Sequence, residues 1–335
     1  MIRAILILLL VGVLACGALG ATYLFVEHER EAANASRGTF GDLPASAAEL
    51  RTLKEQWRTR IREVGGSAAY AEFLATASSS KIDTHSQAHA FGEALYQEEG
   101  LPALRVCDSS FEFGCYHSFL AVAVNEEGIG SLPKLSEACK NDQGVMDLRC
   151  QHGLGHGVLV YTGYGKLDDA LRLCESVSTR STGGCCSGVF MEYNFHTMEF
   201  GNYVRDGSSD VYAPCDGLAE RFQPSCYYEQ VQWWQNLFQN DFKHIGMLCN
   251  AIDGAGARDA CFEGTGNYIA TFVELSYNDI IRLCADMPDQ DTVAICHEGA
   301  NGLLRVQPEL LEEAEDLCTV LPESYQQECL ERLHS

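Results

Sequence analysis

The stretch Cys150-Gln151-His152-Gly153-Leu154-Gly155-His156-Gly157 combines a cysteine, two histidines four residues apart and three glycines. In a helix, the two histidines would lie on one face, one turn apart. Each glycine in a helix interior costs about 1 kcal/mol relative to alanine, and the usual reason to keep it is the close approach of a second backbone or of a ligand. We therefore expect a helix here that another group approaches closely.

The cysteine of this stretch belongs to a series with steps of 35, 35, 41, 35, 35 and 33 residues: Cys115, Cys150, Cys185, Cys226, Cys261, Cys296 and Cys329. A period of this size, with a helical pattern on both sides, is typical of stacked helix pairs. Each cysteine has an earlier companion: Cys107, Cys139, Cys174, Cys215, Cys249, Cys284 and Cys318. We expect the first cysteine of each pair to end a helix A and the second to open a helix B.

Disulfide pairing within each repeat is the most economical connectivity, although the sequence alone does not fix it. A closed loop of this length would stabilise its repeat by roughly 2.5 to 3 kcal/mol on the loop-entropy model. After seven such pairs, Cys186 is left over among the cysteines that follow the N-terminal apolar segment.

Helix B often opens with the pattern Cys-x-x-Gly, which places Gly153, Gly188, Gly264 and Gly299 three residues after their cysteines. Segments such as Leu167-Asp168-Asp169-Ala170-Leu171-Arg172-Leu173-Cys174 precede the gap between the two cysteines of a repeat. This arrangement of helices and cysteines resembles the cysteine-rich Sel1-like repeat proteins, relatives of the tetratricopeptide repeats. The resemblance covers residues 67 to 335 and concerns the architecture. In that family one disulfide joins each helix pair, so the resemblance implies a curved extracytoplasmic α-solenoid with a concave binding face.

The composition indicates a folded protein and argues against nucleic-acid binding. With 335 residues, the chain is long for one compact core, so two domains or an elongated repeat array are expected. Hydrophobic residues make up 46% and proline is scarce, which argues against disorder. The formal net charge of −24 repels nucleic acid, so we expect no nucleic-acid partner.

The N-terminus predicts the compartment. Residues 4 to 26 are apolar, between Arg3 and Glu27, and about 20 apolar residues span a bilayer with the basic side inside. We predict an all-α, disulfide-stapled αα-repeat solenoid with an N-terminal transmembrane helix: a signal-anchor in residues 1–26, a polar tether in 27–45 and an extracytoplasmic helical repeat domain in 46–335. About seven cysteine-paired repeats begin at residue 101. The high cysteine content suits the periplasm, or an extracellular or lumenal space.

The histidines recur at fixed places in the repeats. Counted from the second cysteine as zero, His117 and His152 stand at position +2 and His156 at +6. If Asp83 is taken as an earlier zero, His85 and His89 occupy the same two positions. The fourth helix B adds a carboxylate and a histidine four residues apart, Glu192 and His196.

Equivalent positions on stacked helices form one stripe, and neighbouring helices lie about 8 to 10 Å apart. Histidines on neighbouring helices can meet at one ion at that spacing, because metal–nitrogen bonds of about 2.0 to 2.1 Å add to the length of two side chains. We therefore predict a site for a divalent transition metal (zinc, copper or non-haem iron), because imidazole and carboxylate ligands suit these ions and not calcium. Its ligands would be drawn from His85, His89, His117, His152, His156, Glu192 and His196. One ion fits comfortably, and two are conceivable with Glu192 as a bridge or as a base toward bound water.

Other interpretations stay open at this point. For any single histidine, helix packing is the simpler explanation. The vicinal pair Cys185-Cys186 could be redox-active, or Cys186 could be a metal ligand, but a partly buried thiol is simpler. The insertion in residues 199–214 could be a lid or an ordinary loop variation. The aromatic cluster around Trp233 and Trp234 is interpreted as core, and Glu263 and Glu298 as acids that complement the N-terminal dipoles of their helices.

Two functions from different classes are compatible with these patterns. The first is a membrane-anchored extracytoplasmic repeat protein with a His/Glu metal site, for which catalysis is left open. The second is a metal-free interaction scaffold that presents its concave face to a protein partner. A thiol oxidoreductase using Cys185 and Cys186 is a third and weaker hypothesis. No Cys-x-x-Cys-His or His-Glu-x-x-His motif occurs, which argues against covalent haem and zincin-type proteases.

Overall fold

The computed structural model describes residues 47–77, 82–141, 143–178, 180–200, 210–307 and 310–333. These residues form fifteen α-helices and no strand; the one pairing of β type is an isolated bridge between Lys140 and Met146. The prediction of an all-α fold is therefore confirmed for the described part of the chain.

The first seven helices are α1 (Ala47–Val64), α2 (Gly66–Thr76), α3 (Thr84–Glu99), α4 (Gly114–Glu127), α5 (Leu132–Ala138), α6 (Leu148–Thr162) and α7 (Leu167–Glu175). The other eight are α8 (Cys185–Phe200), α9 (Gln223–Leu237), α10 (Phe242–Asn250), α11 (Ala255–Phe272), α12 (Tyr277–Cys284), α13 (Gln290–Leu304), α14 (Leu311–Thr319) and α15 (Glu323–Leu333).

The longer helices stack side by side as one continuous layer. In chain order, α3, α4, α6, α8, α9, α11 and α13 each pack against the next, and the shorter helices between them pack on the same partners. This is the arrangement of an αα-repeat array, in which each helix pair buries its apolar face against its neighbours.

Two repeats depart from the prediction of a full helix A. Before α4 the chain forms only the short 3₁₀ helix Leu101–Val106, and before α9 only Cys215–Gly217 and Glu220–Phe222. Proline and glycine explain the difference before α9, because Pro214 precedes and Gly217 ends its first short segment, and both residues disfavour a continued α-helix.

All seven cysteine pairs inferred from the repeat are disulfides: Cys107–Cys115, Cys139–Cys150, Cys174–Cys185, Cys215–Cys226, Cys249–Cys261, Cys284–Cys296 and Cys318–Cys329. Their sequence separations are 8 to 12 residues, so on the loop-entropy model each contributes roughly 2.5 to 3 kcal/mol. Among the described cysteines, Cys186 alone is a free thiol.

Glycines set the contact between neighbouring long helices. A Cβ on Gly188 would overlap the carbonyl of His152, and one on Gly264 or Gly299 would overlap the carbonyl of Tyr228 or Glu263. These glycines stand at position +3. The expectation that the glycines mark a close backbone approach is confirmed.

A second glycine contact corrects the alignment of the first repeat. Gly155 and Gly266 stand at position +5 and meet the carbonyl of the next helix's cysteine; Gly92 meets the carbonyl of Cys115 in the same way. The zero position of α3 is therefore Gln87, and the assignment to Asp83 is wrong by one helical turn. Asp83 is instead the N-cap of α3, where its side chain accepts a hydrogen bond from the Ser86 amide at 2.7 Å.

The array curves around a central cavity of about 1900 Å³. Positions +2 and +6 of successive long helices line it: His117, His152, Met191, Tyr228, Gln232, Glu263, Asn267, Glu298 and Gly302. The curvature brings distant repeats together, since the Ser109 hydroxyl donates to the Val306 carbonyl at 3.4 Å.

The first helix covers the N-terminal end of the array. It packs on α3, where Trp57 contacts Phe73 and Phe91 edge-on at ring distances of 5.6 and 5.3 Å. Arg58 on its outer side pairs with Glu98 at 2.7 Å. A terminal repeat without such a cover would leave its apolar face in water.

Three predictions fall on residues outside the described part. These are the transmembrane helix in residues 1–26, the polar tether in residues 27–45 and most of the insertion in residues 199–214. Within the described ranges, every helix is too short or too polar to span a bilayer.

Candidate metal centre

Three neighbouring helices carry the histidines of the predicted site. His85 and His89 lie on α3, His117 on α4, and His152 and His156 on α6. Asp147 caps α6, with its side chain accepting from the amides of Arg149 and Cys150 at 2.9 and 3.3 Å. These caps satisfy amides that a helix start leaves unpaired.

The five histidines form one continuous cluster. Ring centroids lie 4.5 Å apart for His85 and His89, 5.5 Å for His89 and His117, 4.7 Å for His117 and His156, and 5.1 Å for His152 and His156. Two groups of three have nitrogens that all lie within 4.8 Å of one another, and His117 belongs to both. The groups are His85, His89 and His117, and His117, His152 and His156.

The pair on α3 has the hydrogen bonds that orient a ligand pair. His85 Nδ1 lies 2.8 Å from the Phe111 carbonyl, which can only accept, so this nitrogen carries the proton and Nε2 has the lone pair. His85 Nε2 and His89 Nε2 are 2.9 Å apart, and the Ser118 hydroxyl is 2.6 Å from His89 Nδ1. Both Nε2 atoms therefore point to one place, where they share a proton or can bind one ion.

Glu192 lies behind His156 and is not part of either three-histidine group. His156 Nδ1 donates to its Oε2 at 2.8 Å, and the Tyr164 hydroxyl donates to its Oε1 at 2.7 Å. A carboxylate that accepts from the outer nitrogen of a histidine fixes the ring and makes its other nitrogen a better ligand. The carboxylate thus orients a ligand instead of bridging two ions.

His196, predicted as a ligand, lies elsewhere. Its ring stacks on Tyr164 at 3.6 Å and 8° between planes, and it is in neither group. The i, i+4 relation to Glu192 places both residues on the side of α8 that faces Tyr164.

Met191 is a neighbour of the cluster that the sequence interpretation missed. Its Sδ lies 3.3 Å from His152 Nε2, and it lines the cavity. The signal was present, because Met191 stands at position +6 of α8, as His156 does in α6. Ser118 was missed as well, although it occupies position +3, where other repeats have glycine.

Burial keeps His117 and His152 uncharged. His117 is 6% exposed and His152 is 8% exposed. Burial is the main cause that lowers the pKa of both imidazoles well below the usual value, and the neighbouring histidines add to it. Neutral imidazole is the form that binds a metal, so these two rings need lose no proton at pH 7.

The vicinal cysteines do not form a redox pair. Cys185 is bonded to Cys174, and Cys186 is buried against the Leu171 carbonyl. Burial raises the pKa of the Cys186 thiol to about 12. Since the thiolate is the reactive form, the geometry opposes the thiol oxidoreductase hypothesis, and Cys186 belongs to neither histidine group.

The aromatic cluster divides between core and cavity. Tyr227, Trp233 and Trp234 are buried, as predicted. Tyr228 lines the cavity with Glu263 and Glu298, so these three residues face the concave side.

The chain was compared with protein-family models, curated proteins and solved structures, and none of the three comparisons found a match. The Sel1-like resemblance stays a prediction about architecture.

Proposed function

We propose that this protein is a membrane-anchored, extracytoplasmic helical-repeat protein that binds a divalent transition metal in its N-terminal repeats. One observation carries the proposal: five histidines from three helices form two three-nitrogen groups that share His117. Packing alone explains single buried histidines, but it gives no reason for five of the ten histidines in the chain to meet at one place.

The distances between histidine nitrogens fit a single ion bound within a three-histidine group. Two nitrogens bound to zinc at about 2.0 to 2.1 Å in tetrahedral geometry lie roughly 3.3 Å apart. The Nε2 atoms of His85 and His89 are 2.9 Å apart, so a small movement would suit them to one ion. Both groups include His117, so two ions would have to share that residue.

Zinc, copper and non-haem iron are the ions that an all-imidazole set suits. A bound ion would supply Lewis acidity or, for copper and iron, electron transfer. The chain's own contribution is to orient the rings through Phe111, Ser118 and Glu192 and to shield them from water.

The proposed location rests on the disulfides and on the N-terminal sequence. Seven disulfides in one chain persist in oxidising compartments. Residues 4–26 would supply the membrane anchor.

The test is metal content. The full-length protein, produced in an oxidising compartment under zinc, copper and iron supply, is analysed for bound metal beside the double variant His152→Ala and His156→Ala. His297→Gln is the matched control, because His297 is also a buried histidine outside both groups. We expect at least one ion per chain in the parent and the control, and a lower content in the double variant.

Substoichiometric metal in the parent would contradict the proposal, because it would exclude a resident ion. Equal metal in the double variant would exclude the group of His117, His152 and His156 and leave the group of His85, His89 and His117 as the site. The central cavity of about 1900 Å³ supports the second candidate, a metal-free scaffold for a protein partner, which the first of these results would favour.

A further inference from the structure

Glu229 is an acid buried in the second half of the cavity wall, away from the histidine cluster. It stands at position +3 of α9, where Gly153, Gly188 and Gly264 stand in their helices. Its side chain is 1% exposed and lines the cavity.

One oxygen of this carboxyl has its partner and the other does not. The Tyr268 hydroxyl donates to Oε2 at 2.6 Å. Oε1 is buried without a hydrogen-bond partner among the described residues. Buried polar atoms are almost always paired, and an unpaired one costs about 1 to 3 kcal/mol or more.

Gln232 presents a second unpaired oxygen on the same helix face. It stands three residues after Glu229, so the two side chains are neighbours on α9. Its Oε1 is likewise buried without a partner in the described structure, and the residue lines the cavity. With Glu229 in its carboxylate form, both unpaired oxygens are acceptors and call for a ligand that donates several hydrogen bonds.

The surrounding charges favour a cationic donor. The cavity wall carries three arginines (Arg149, Arg180 and Arg305) against seven acids: Glu112, Asp147, Glu229, Asp259, Glu263, Glu274 and Glu298. A concave surface with one dominant sign raises the local concentration of opposite charge. The phenol rings of Tyr228 and Tyr268 also line this wall, and aromatic faces attract cations.

The charges near the carboxyl group come from several elements. Glu263 on α11 and Glu229 both raise the pKa of Tyr228 beyond the effect of burial, and Arg305 after α13 opposes them. Glu112, in the loop before α4, acts on Tyr268 in the same direction as Glu229. The Ser187 hydroxyl on α8 and Tyr268 favour the charged form of Glu229. Once Glu229 is ionised, two carboxylates against one guanidinium leave the surroundings of Tyr228 negative.

We infer that Glu229, Gln232, Tyr228 and Tyr268 form a binding site for an organic cation, a primary ammonium or guanidinium group. The cation donates to Glu229 Oε1 and Gln232 Oε1, and its charge is balanced by the carboxylate. The site is separate from the histidine cluster and opens to the same cavity. The ligand is either a free amine or a lysine or arginine side chain of a peptide.

Proton release distinguishes this site from a nonspecific acidic surface. Burial raises the pKa of Glu229 to about 8, so the carboxyl group is mostly protonated at pH 7. A cation stabilises the carboxylate, and its binding therefore releases close to one proton to the buffer. An exposed carboxylate is already ionised and releases none.

The experiment is calorimetry of the full-length protein with agmatine, which carries both cationic groups, and with the blocked tripeptide acetyl-Gly-Lys-Gly-amide. Each titration is done at pH 7 in phosphate and in HEPES, whose ionisation enthalpies differ and neither of which is a primary amine. We expect binding whose enthalpy changes with the buffer by close to one proton per ligand. Glu229→Gln should weaken binding at least tenfold and remove the buffer dependence. Tighter binding of agmatine would indicate a free amine, and tighter binding of the tripeptide a peptide ligand.

Three further measurements keep the test decisive. Glu274→Gln removes an exposed carboxylate from the same wall and should leave binding unchanged. Binding should persist in the His152→Ala, His156→Ala variant, which separates this site from the metal proposal. If Glu229→Gln does not fold, the inference is tested by probe binding to Tyr268→Phe and by the buffer dependence of the binding enthalpy of the parent. Absence of binding by both probes, or binding without proton release, overturns the inference.

Discussion

Gly188 on α8 lies directly against the backbone carbonyl of His152 on α6, with no space between them for a side chain. The residue that sets the distance between the two helices therefore touches a proposed metal ligand. Gly264 with Tyr228 and Gly299 with Glu263 repeat the contact, so the same spacing continues along the cavity wall.

Gly188→Ala should destabilise the protein and loosen the histidine cluster. The added methyl group overlaps a backbone carbonyl, and overpacking of this kind costs about 1 to 3 kcal/mol, more than the helix propensity that alanine adds. Denaturant unfolding measures the loss, and a competition titration with a chelator should show weaker metal binding.

Gly302→Ala is the control for that substitution. Gly302 lies inside α13, and a Cβ there would meet nothing within 4 Å. We expect it to stabilise the protein by up to about 1 kcal/mol. Equal effects of the two substitutions would show that close contact is not what retains Gly188.

Glu192→Gln should reduce metal affinity by about tenfold or more while the protein stays folded. It removes the negative charge that accepts from His156 Nδ1, and loss of such an outer partner typically costs 10 to 100-fold in affinity, to order of magnitude. Chelator competition with zinc measures the change. Glu175→Gln, at an exposed carboxylate paired with Arg221, should change nothing. Unaltered affinity in both variants would remove Glu192 from the site.

His297 should make stability depend on pH. Burial lowers its pKa to about 4, against about 6.5 in the unfolded chain. The unfolded state therefore binds the proton first, and stability is full above pH 6.5 and falls as the pH drops from 6.5 to 4. The loss at pH 4 is of order 3 kcal/mol.

The check is the difference in the free energy of unfolding between the parent and His297→Gln. Denaturant unfolding measures it from pH 4 to pH 8 with a chelator present. Burial also lowers the pKa of His117 and His152, and these two residues shift stability in the same direction in both proteins, so the difference isolates His297. Parallel curves across this range would show that His297 does not titrate in the way the structure indicates.

The disulfides should matter far more than the remaining thiol. Replacing Cys139 and Cys150 together by alanine opens a loop of sequence separation 11 and should cost about 2.5 to 3 kcal/mol. Cys186→Ala removes one buried sulfur atom and should cost about 1 kcal/mol. A thiol reagent should leave Cys186 unmodified in the native protein and react with it after denaturation; rapid native reaction would contradict its buried position.

Gln87→Ala tests the corrected alignment of the first repeat. The Gln87 amide donates to the carbonyls of Ala77 and Ile82 at 3.0 and 2.7 Å, across the junction that a disulfide closes in later repeats. Removing it leaves buried carbonyls unpaired and should cost about 1 to 3 kcal/mol. Gln327→Ala, at an exposed position, should stay within about 0.5 kcal/mol. A neutral result at Gln87 would argue against its structural role.

The spacing of the cysteines predicted most of the fold because each disulfide ties two known chain positions together. Where this constraint is missing, the prediction failed. The first repeat has no cysteine. Asp83 was predicted as its zero position, but this residue is the N-cap of α3. Around Cys107 and Cys215 the cysteine positions persist, but short 3₁₀ segments stand where helix A was expected.

The candidate site, like the fold, was predicted where the cysteine spacing fixes the position of a residue. His117, His152 and His156 follow from the cysteine positions, and His85 and His89 joined them even though their alignment was wrong by a turn. Glu192 and His196 were assigned from their four-residue spacing alone, which gives a common helix face but not its direction. Glu229 escaped notice because a buried acid can be recognised only when its neighbours are known.

The contact of Ser109 with Val306 changes how the array should respond to stress. Repeats that touch only their neighbours fray from the ends, so the terminal ones exchange amide hydrogens fastest. Here an early repeat is fastened to a late one, and neither can open without releasing the other. Amide protection in the two regions should therefore rise and fall together, as expected for a closed array and not for an open one.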